Sequence, residues 1–414
     1  MRSRRFLLPL LLSAFLVAAN AYAQTCPGGA GCLDTSFGTG GTVLVPLSFI
    51  VPAPEGMVVQ PDGKIVSVSG GFSNGHKLVR LNADGSLDTS FGGDGTVEFT
   101  WQLTSGSSSY YGKAYGVGLQ NIGGQQRIVV AGTGHLVSGR NIIGSVLRVQ
   151  RFMPDGSVDT SFGVGGSIVH NTGYALAMAI QPDGKIVTVG DAGNLVRLNV
   201  NGSLDASFGL NGVVTIDYGR ALAVDSSGGV LVGGYKVFGK GNNARREMSV
   251  IRILPNGIVD TSFGSSGRAI ADFGVGSQLF EVQIDLAGRI VLGGNSNGSF
   301  AAARFTPGGQ PDTSFNGNCR VTGPAGNGRG TAIQLDGKIV VTGEYNMDFR
   351  LVRFNTDGTL DASFGATGVV TLDVYAHDHS YRTLIQTDPA CNCEKIVMSG
   401  GSDPQISFAR FTTF

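Results

Sequence analysis

Short apolar runs rich in Val, Ile and Leu recur along nearly the whole chain, each closed by Asp-Gly or Gly-Gly punctuation. Gly95–Thr100 alternates apolar and polar positions. Other runs end at a Gln-Pro-Asp-Gly-like turn (Met57–Gly63, Ala177–Gly184), leave that turn (Lys64–Val68, Lys185–Val189, Lys338–Thr342), or end in Arg-Leu-Asn-x-Asp-Gly-like segments (Leu78–Gly85, Leu351–Gly358). β-branched runs bounded by Asp, Asn, Gly and Pro read as strands joined by tight turns.

The runs are phased by one phrase: Leu33–Gly38, Leu87–Gly92, Val158–Gly163, Leu204–Gly209, Val259–Gly264, Pro311–Asn316 and Leu360–Gly365. Its aspartates, Asp34, Asp88, Asp159, Asp205, Asp260, Asp312 and Asp361, recur 46 to 71 residues apart, with the excess as insertion. Four strands in about fifty residues is the size of a propeller blade. With strand a ending at the Gln-Pro-Asp-Gly turn, b after it, c carrying an arginine and d after the phrase, the chain begins with a lone d strand (Gly41–Leu47) and ends with a c strand (Gln405–Phe411) lacking its d. The two fragments complete one blade. That predicts an all-β, seven-bladed β-propeller, four strands per blade, closed by the N-terminal d strand pairing with the C-terminal c strand, which removes an open sheet edge.

The phrase Asp-x-Ser-Phe-Gly-x-x-Gly with Gln-Pro-Asp-Gly-Lys-Ile-Val resembles the delta-60 repeat family of exported bacterial proteins, and the strand order is similar to NHL-type propellers. Blades four and five depart at the a–b turn (Asp225–Gly228, Asp285–Gly288), and Asn316 replaces glycine in the sixth phrase, all with turn-forming residues. The resemblance implies a fold and no established activity.

Glycine contributes 66 of 414 residues, charged residues 14 % and hydrophobic residues 42 %. This excludes disorder. Residues 1–23 read as a signal peptide: Arg2, Arg4 and Arg5, an apolar Phe6–Ala19, then Ala21-Tyr22-Ala23 as a small-x-small cleavage site. A single propeller domain is expected over 24–414, in the periplasm or outside the cell. Without the three leader arginines, 27 basic residues face 30 acidic ones, with no basic stripe. Nucleic acid and membrane insertion are therefore not expected, and a monomer is.

The repeated side chains read as structural. The seven phrase phenylalanines fit between blades, and the strand-c arginines Arg80, Arg151, Arg197, Arg252, Arg304, Arg353 and Arg410 are expected to pair with the phrase aspartates. A ring of cations bound to those aspartates is the competing reading. Cys26 and Cys32 precede the first d strand, while Cys391 and Cys393 sit in the last a–b turn, so disulfides between the two pairs would lock the ring. A local Cys26–Cys32 bridge and a Cys391-Asn392-Cys393 zinc clip are the alternatives, and Cys319 is expected to be free. Two Gly-x-Ser-x-Gly matches (Gly71–Gly75, Gly294–Gly298) fall in b–c hairpins, where a nucleophile elbow has no helix to enter.

Function is sought where blades differ. The insertions Trp101–Lys113, Gly134–Gly144, Lys236–Arg246 and Val374–Ser380 join d to a or b to c, which share one face, and that face also carries every histidine. The expected ligand site there is Trp101, Tyr110, Tyr111, His135, Arg245, Arg246, His377, Asp378, His379 and Tyr381, forming a shallow central depression. The leading reading is a secreted non-catalytic module binding a glycan, a peptide or a surface polymer, without cofactor or metal. The alternative is an exported lactonase-, lyase- or glycosidase-type enzyme using the His377/Asp378/His379 loop. An outer-membrane barrel fails on strand pattern.

Overall fold

Strands b and c read as unbroken apolar runs because both faces of each sheet are covered by a neighbouring sheet. Ile65 packs toward one neighbour of its blade and Val66 toward the other. The computed structural model describes residues 22–23, 29–47, 54–71, 75–101, 110–138, 141–190, 193–241, 244–375, 377–402 and 405–414. Most of the expected signal peptide, Cys26 and much of the Trp101–Lys113 insertion lie outside them.

Seven antiparallel sheets carry four blade strands each, in the order a-b-c-d. Blade one is Gly56–Val59, Ile65–Gly71, Gly75–Leu81 and Thr96–Phe99; blade two is Tyr110–Ile122, Gln125–Ser138, Asn141–Phe152 and Ser167–His170. Blade three is Ala177–Ile180, Ile186–Val189, Asn194–Leu198 and Val213–Thr215; blade four is Ala221–Val224, Val230–Phe238, Arg245–Ile253 and Arg268–Ala271. Blade five is Ser277–Ile284, Ile290–Ser296, Ser299–Phe305 and Arg320–Ala325; blade six is Asn327–Ile333, Ile339–Tyr345, Asp348–Phe354 and Val369–Asp373. Blade seven joins Asp378–Asp388, Cys393–Ser402 and Gln405–Thr412 to the N-terminal strand Thr42–Pro46, in the register Thr42↔Ala409 to Pro46↔Gln405. Tyr22–Ala23 adds a short fifth strand to the outer edge of blade six. Each a strand touches the a strands of both neighbouring blades, so the seven close a ring around a central channel.

Seven apolar cores lie between successive blades. Each contains one phrase phenylalanine, from Phe37 to Phe364, and all seven are fully buried. Beside each ring stands the strand-c guanidinium, 4.2–4.8 Å from its centre. That guanidinium lies 2.7–2.9 Å from the phrase aspartate of its own blade, from Arg80–Asp88 to the terminus-spanning Arg410–Asp34. The same arginine donates to a backbone carbonyl of the next blade: Pro154 for Arg80, and Val200, Pro255, Pro307, Thr356, Thr413 and Ala83 for the others.

The aspartate's other oxygen accepts the phrase serine's hydroxyl at 2.5–2.7 Å, as in an Asx-turn. In six blades a second cation from the start of strand b lies within 4.0 Å of the same aspartate, for example Lys64 on Asp88 and Lys338 on Asp361. The aspartates are thus already flanked by side-chain cations. The first phrase glycine (Asn316 in blade five) donates its N–H to the next blade, at 2.6–3.0 Å, with φ of 53–63°.

The cysteines differ from the closure expected of them. Asn392 adopts φ 51°, which folds the turn back and brings the Cα atoms of Cys391 and Cys393 to 5.1 Å, and those two are bonded to each other. Cys32 is also disulfide-bonded, to a partner outside the described residues. The ring is therefore sealed by strand pairing and not by a bridge from Cys32 to the blade-seven turn. Cys319 is free and buried, at the position where the other phrases carry their last glycine.

Candidate functional site

Gln60, Gln120, Gln181, Asp225, Asp285, Gln334 and Gln386 hold equivalent places at or near the end of strand a, and counting five residues back from each reaches Glu55, Tyr115, Leu176, Arg220, Phe280, Arg329 and Tyr381. These seven residues, one per blade, line a single cavity of about 280 Å³ at the channel end nearest the d–a and b–c loops, and Lys113 and Arg382 join them. The backbone explains the convergence. In blades two, five, six and seven the a–b register slips at this position, between Ala114/Gly116, Leu279/Glu281, Gly328/Gly330 and Ser380/Arg382. A residue left unpaired by a bulge is re-aimed out of the ladder. Glu55, Leu176 and Arg220 reach the same level by standing just before their a strands.

The wall alternates cations with aromatic rings. The Arg220 guanidinium lies 4.1 Å and that of Arg329 5.4 Å from the centre of Phe280; Arg329 is also 5.8 Å from Tyr381, and the Lys113 ammonium 5.0 Å from Tyr115. Lys113 pairs with Glu55, and Arg382 with Glu281 while also donating to the Glu55 carbonyl. Glu281, pushed up by burial against the opposing pull of Arg382, also accepts the Thr331 N–H at 2.7 Å. Arg329 has only a 3.7 Å contact with Glu344, and its Nε is buried without a hydrogen-bond partner. Burial, reinforced by Glu55, raises the Tyr381 phenol to about 12, so its hydroxyl stays a donor. Such a surface can hold an oxyanion against fixed guanidinium donors.

Of the expected site residues whose side chains are described, Tyr381 alone lines this cavity. Trp101 is buried in the core between blades one and two, 4.3 Å from the His76 ring, and the close approach of Gly112 and Gly132 leaves room for it. It therefore belongs to the packing and does not stand in the ligand site where it was expected. Tyr110 and Tyr111 extend the blade-two a strand opposite Leu136 and His135, and their side chains lie outside the described structure. His135 is half-buried with Nδ1 3.0 Å from Ser145 Oγ, and burial lowers its pKa. Arg245 forks onto Asp272 at 2.7 and 3.1 Å and reaches Glu247 at 2.7 Å; Arg246 lies over Tyr235.

In the last loop His377 is exposed, and His379 Nδ1 meets Glu344 Oε2 at 2.5 Å. Asp378 is fully buried, accepting the Val374 and Tyr375 N–H groups at 2.7 and 3.2 Å and the Ser402 hydroxyl. Burial lifts its carboxyl to about 6. It ties the loop to blade seven and does not face a ligand. A groove of about 460 Å³ on the opposite face, between blades three and four, is lined by turn residues with Arg197 and Ser207 of the repeated node.

The family model described as "Domain of unknown function (DUF5122) beta-propeller" matches residues 60–91, 126–162, 181–208, 288–315 and 334–364, less than half the chain. The chain is thus similar to a family of propeller repeats. A comparison with curated protein sequences finds no match. Among solved structures it is similar to the WD40 β-propeller domain of Doa1 (12 % identity, TM-score 0.47, 90 % of this chain and 98 % of that one). It is also similar to the PQQ-bound aldose sugar dehydrogenase from Streptomyces coelicolor (14 %, 0.44, 80 % and 98 %) and to YCF48 bound to D1 peptide (12 %, 0.46, 93 % and 100 %).

Proposed function

We propose that this protein is an exported, non-catalytic β-propeller of delta-60-type repeats that binds a ligand or partner at its channel mouth, on the face of the d–a and b–c loops. One observation carries the reading. The residue five before the Gln or Asp near the end of each a strand changes from blade to blade (Glu, Tyr, Leu, Arg, Phe, Arg, Tyr) while the phrase of each blade repeats, and all seven converge on one cavity. Repeated residues serve the blades; a ring that varies and converges is free to serve a ligand. The basic start and apolar run before Ala23 support export. The His377–His379 loop offers no comparable convergence, since its carboxylate is engaged by its own loop and by Ser402.

The test is a glycan and peptide array probed with the mature protein, repeated with Tyr115→Ala/Tyr381→Ala. Hits that weaken tenfold or more in the double variant, with its thermal midpoint kept, support the assignment. Hits indifferent to the substitution, or mapped to the a–b turn face, overturn it.

A further inference from the structure

We infer that the Cys391–Cys393 bridge is a redox-exchange site for thiols, on the face opposite the channel mouth and independent of what binds there. The two cysteines enclose a single residue, Asn392, at φ 51°, with their Cα atoms 5.1 Å apart. Cys391 is exposed and Cys393 half-buried, so a thiol in solution meets Cys391 first.

The bridge has little to do for the fold. A disulfide stabilises mainly by restricting the unfolded chain, and the restriction shrinks with the loop it closes. The a–b turns of blades one, three and six close without cysteines: Asp62, Asp183 and Asp336 each accept the N–H two residues on, at 3.0–3.2 Å. Blade seven keeps that bond beside its bridge, from the Ala390 N–H to Asp388 Oδ1 at 3.0 Å. Strands a and b stay paired as far as Asp388↔Cys393, and the ring is closed by Thr42–Pro46 and the Arg410–Asp34 pair. The bridge can therefore open and re-form with the blade intact. Cys32 supplies the contrast. It is 9 % exposed, and its N–H is held by the Gly29 carbonyl and the Thr412 hydroxyl at 3.4 and 3.1 Å. Exposed disulfides are the labile and exchanging ones, whereas structural bridges resist reduction.

The chemistry is a two-electron exchange. A thiolate from solution attacks Cys391 Sγ, the bond between the two sulfurs breaks, and Cys393 leaves as a thiolate that takes a proton from water. A second thiolate attacks the incoming sulfur of the mixed disulfide and releases Cys391, likewise protonated. Two thiols thereby become one disulfide, and the bridge becomes a dithiol. Run in reverse, a disulfide in solution closes the bridge again. The substrate class is an accessible thiol, carried by a small molecule or by an extended peptide.

The test equilibrates the mature full chain with mixtures of reduced and oxidised glutathione, or with a reduced Cys-x-x-Cys peptide, and then alkylates and maps the cysteines. The Cys391–Cys393 bridge should be reduced with an equilibrium constant at least roughly tenfold above that of the Cys32 bridge. The thermal midpoint of the reduced chain should stay within about 3 °C of the oxidised one. In Cys393→Ser, oxidised glutathione should leave one glutathione on Cys391, because the resolving thiol is gone; the reduced wild-type chain should close its bridge and carry none. Reduction by glutathione supports exchange with small thiols, and reduction by the peptide alone supports exchange with a protein chain. A bridge that stays closed until that of Cys32 opens, no adduct on Cys391, or a larger fall in midpoint overturns the exchange site. The equilibrium and the midpoint are read on the unaltered protein, so the test survives a variant that fails to fold.

Discussion

An arginine is costly to bury unless its charge is paired, and each strand-c arginine is set against the phrase aspartate of its own blade and a carbonyl of the next. Arg304, 1 % exposed, is held by Asp312, Ser314 and the Thr356 carbonyl of the next blade. Arg304→Met should cost about 3–5 kcal/mol, because Asp312 is left buried and poorly compensated. Arg252→Met, at a node whose arginine is 24 % exposed, should cost about 1 kcal/mol or less. Thermal unfolding of the two variants checks the contrast. Trp101→Ala should behave as a core truncation, costing about 3–5 kcal/mol.

The carboxylates also set the response to pH. For Asp361, burial pushes upward, but the Ser363 and Lys338 hydrogen bonds and the Arg353 charge win, and its pKa falls from 3.8 to about 2. A carboxyl depressed in the folded state adds stability that is present above about pH 4 and lost as pH falls through 2. The other six phrase aspartates are lowered too, so the thermal midpoint should drop steeply over that interval. Asp378 has the opposite sign. Raised to about 6, its stabilising contribution is complete below pH 3.8 and lost as pH rises through 6. Midpoints recorded against pH should show the wild-type protein losing stability relative to Asp378→Asn between pH 4 and 6.

At the scale of the strand and turn, glycine is needed for two separable reasons. Gly93 has φ 91° with nothing near the place of a Cβ, whereas at Gly257, φ 87°, that Cβ would stand 2.3 Å from the Gly209 amide nitrogen of blade three. Gly93→Ala should cost about 1–2 kcal/mol for conformation alone. Gly257→Ala should cost more than that, since it also pushes apart the Gly209-to-Asn256 bond that joins two blades. Denaturation midpoints distinguish the cases. The same scale explains the candidate site. Its signal was present in the sequence, as a fixed offset before the Gln or Asp near the end of each a strand where residue type varies, but insertion length and unusual residues mark the loops more strongly. A bulge is not marked by one residue type: the aromatic Tyr115, Phe280 and Tyr381 occupy one, and so does Arg329.

For the whole molecule, closure rests on pairing between the ends of the chain. Residues 29–46 supply Asp34 to Arg410, Phe37 and Val45 to the blade-seven/blade-one core, and strand d to Gln405–Thr412. A chain lacking them should lose its cooperative unfolding transition and associate through the bared edge, as read by calorimetry and size-exclusion chromatography.

What the sequence determined by itself was everything that repetition makes redundant. Seven phrases, seven arginines and the complementary end fragments specify blade number, strand order and closure, because each blade states the same local rules again. What only the tertiary structure decided depends on how unlike residues meet. Trp101 went to a core because Gly112 and Gly132 of the next blade make room for it. Cys391 found Cys393 because Asn392 turns the backbone left-handed. Arg220, Phe280 and Arg329, 60 and 49 residues apart in turn, became neighbours because a ring brings the same position of every blade to its axis. Local rules act through the chain and can be read along it, whereas the contents of a channel are set by juxtapositions across it.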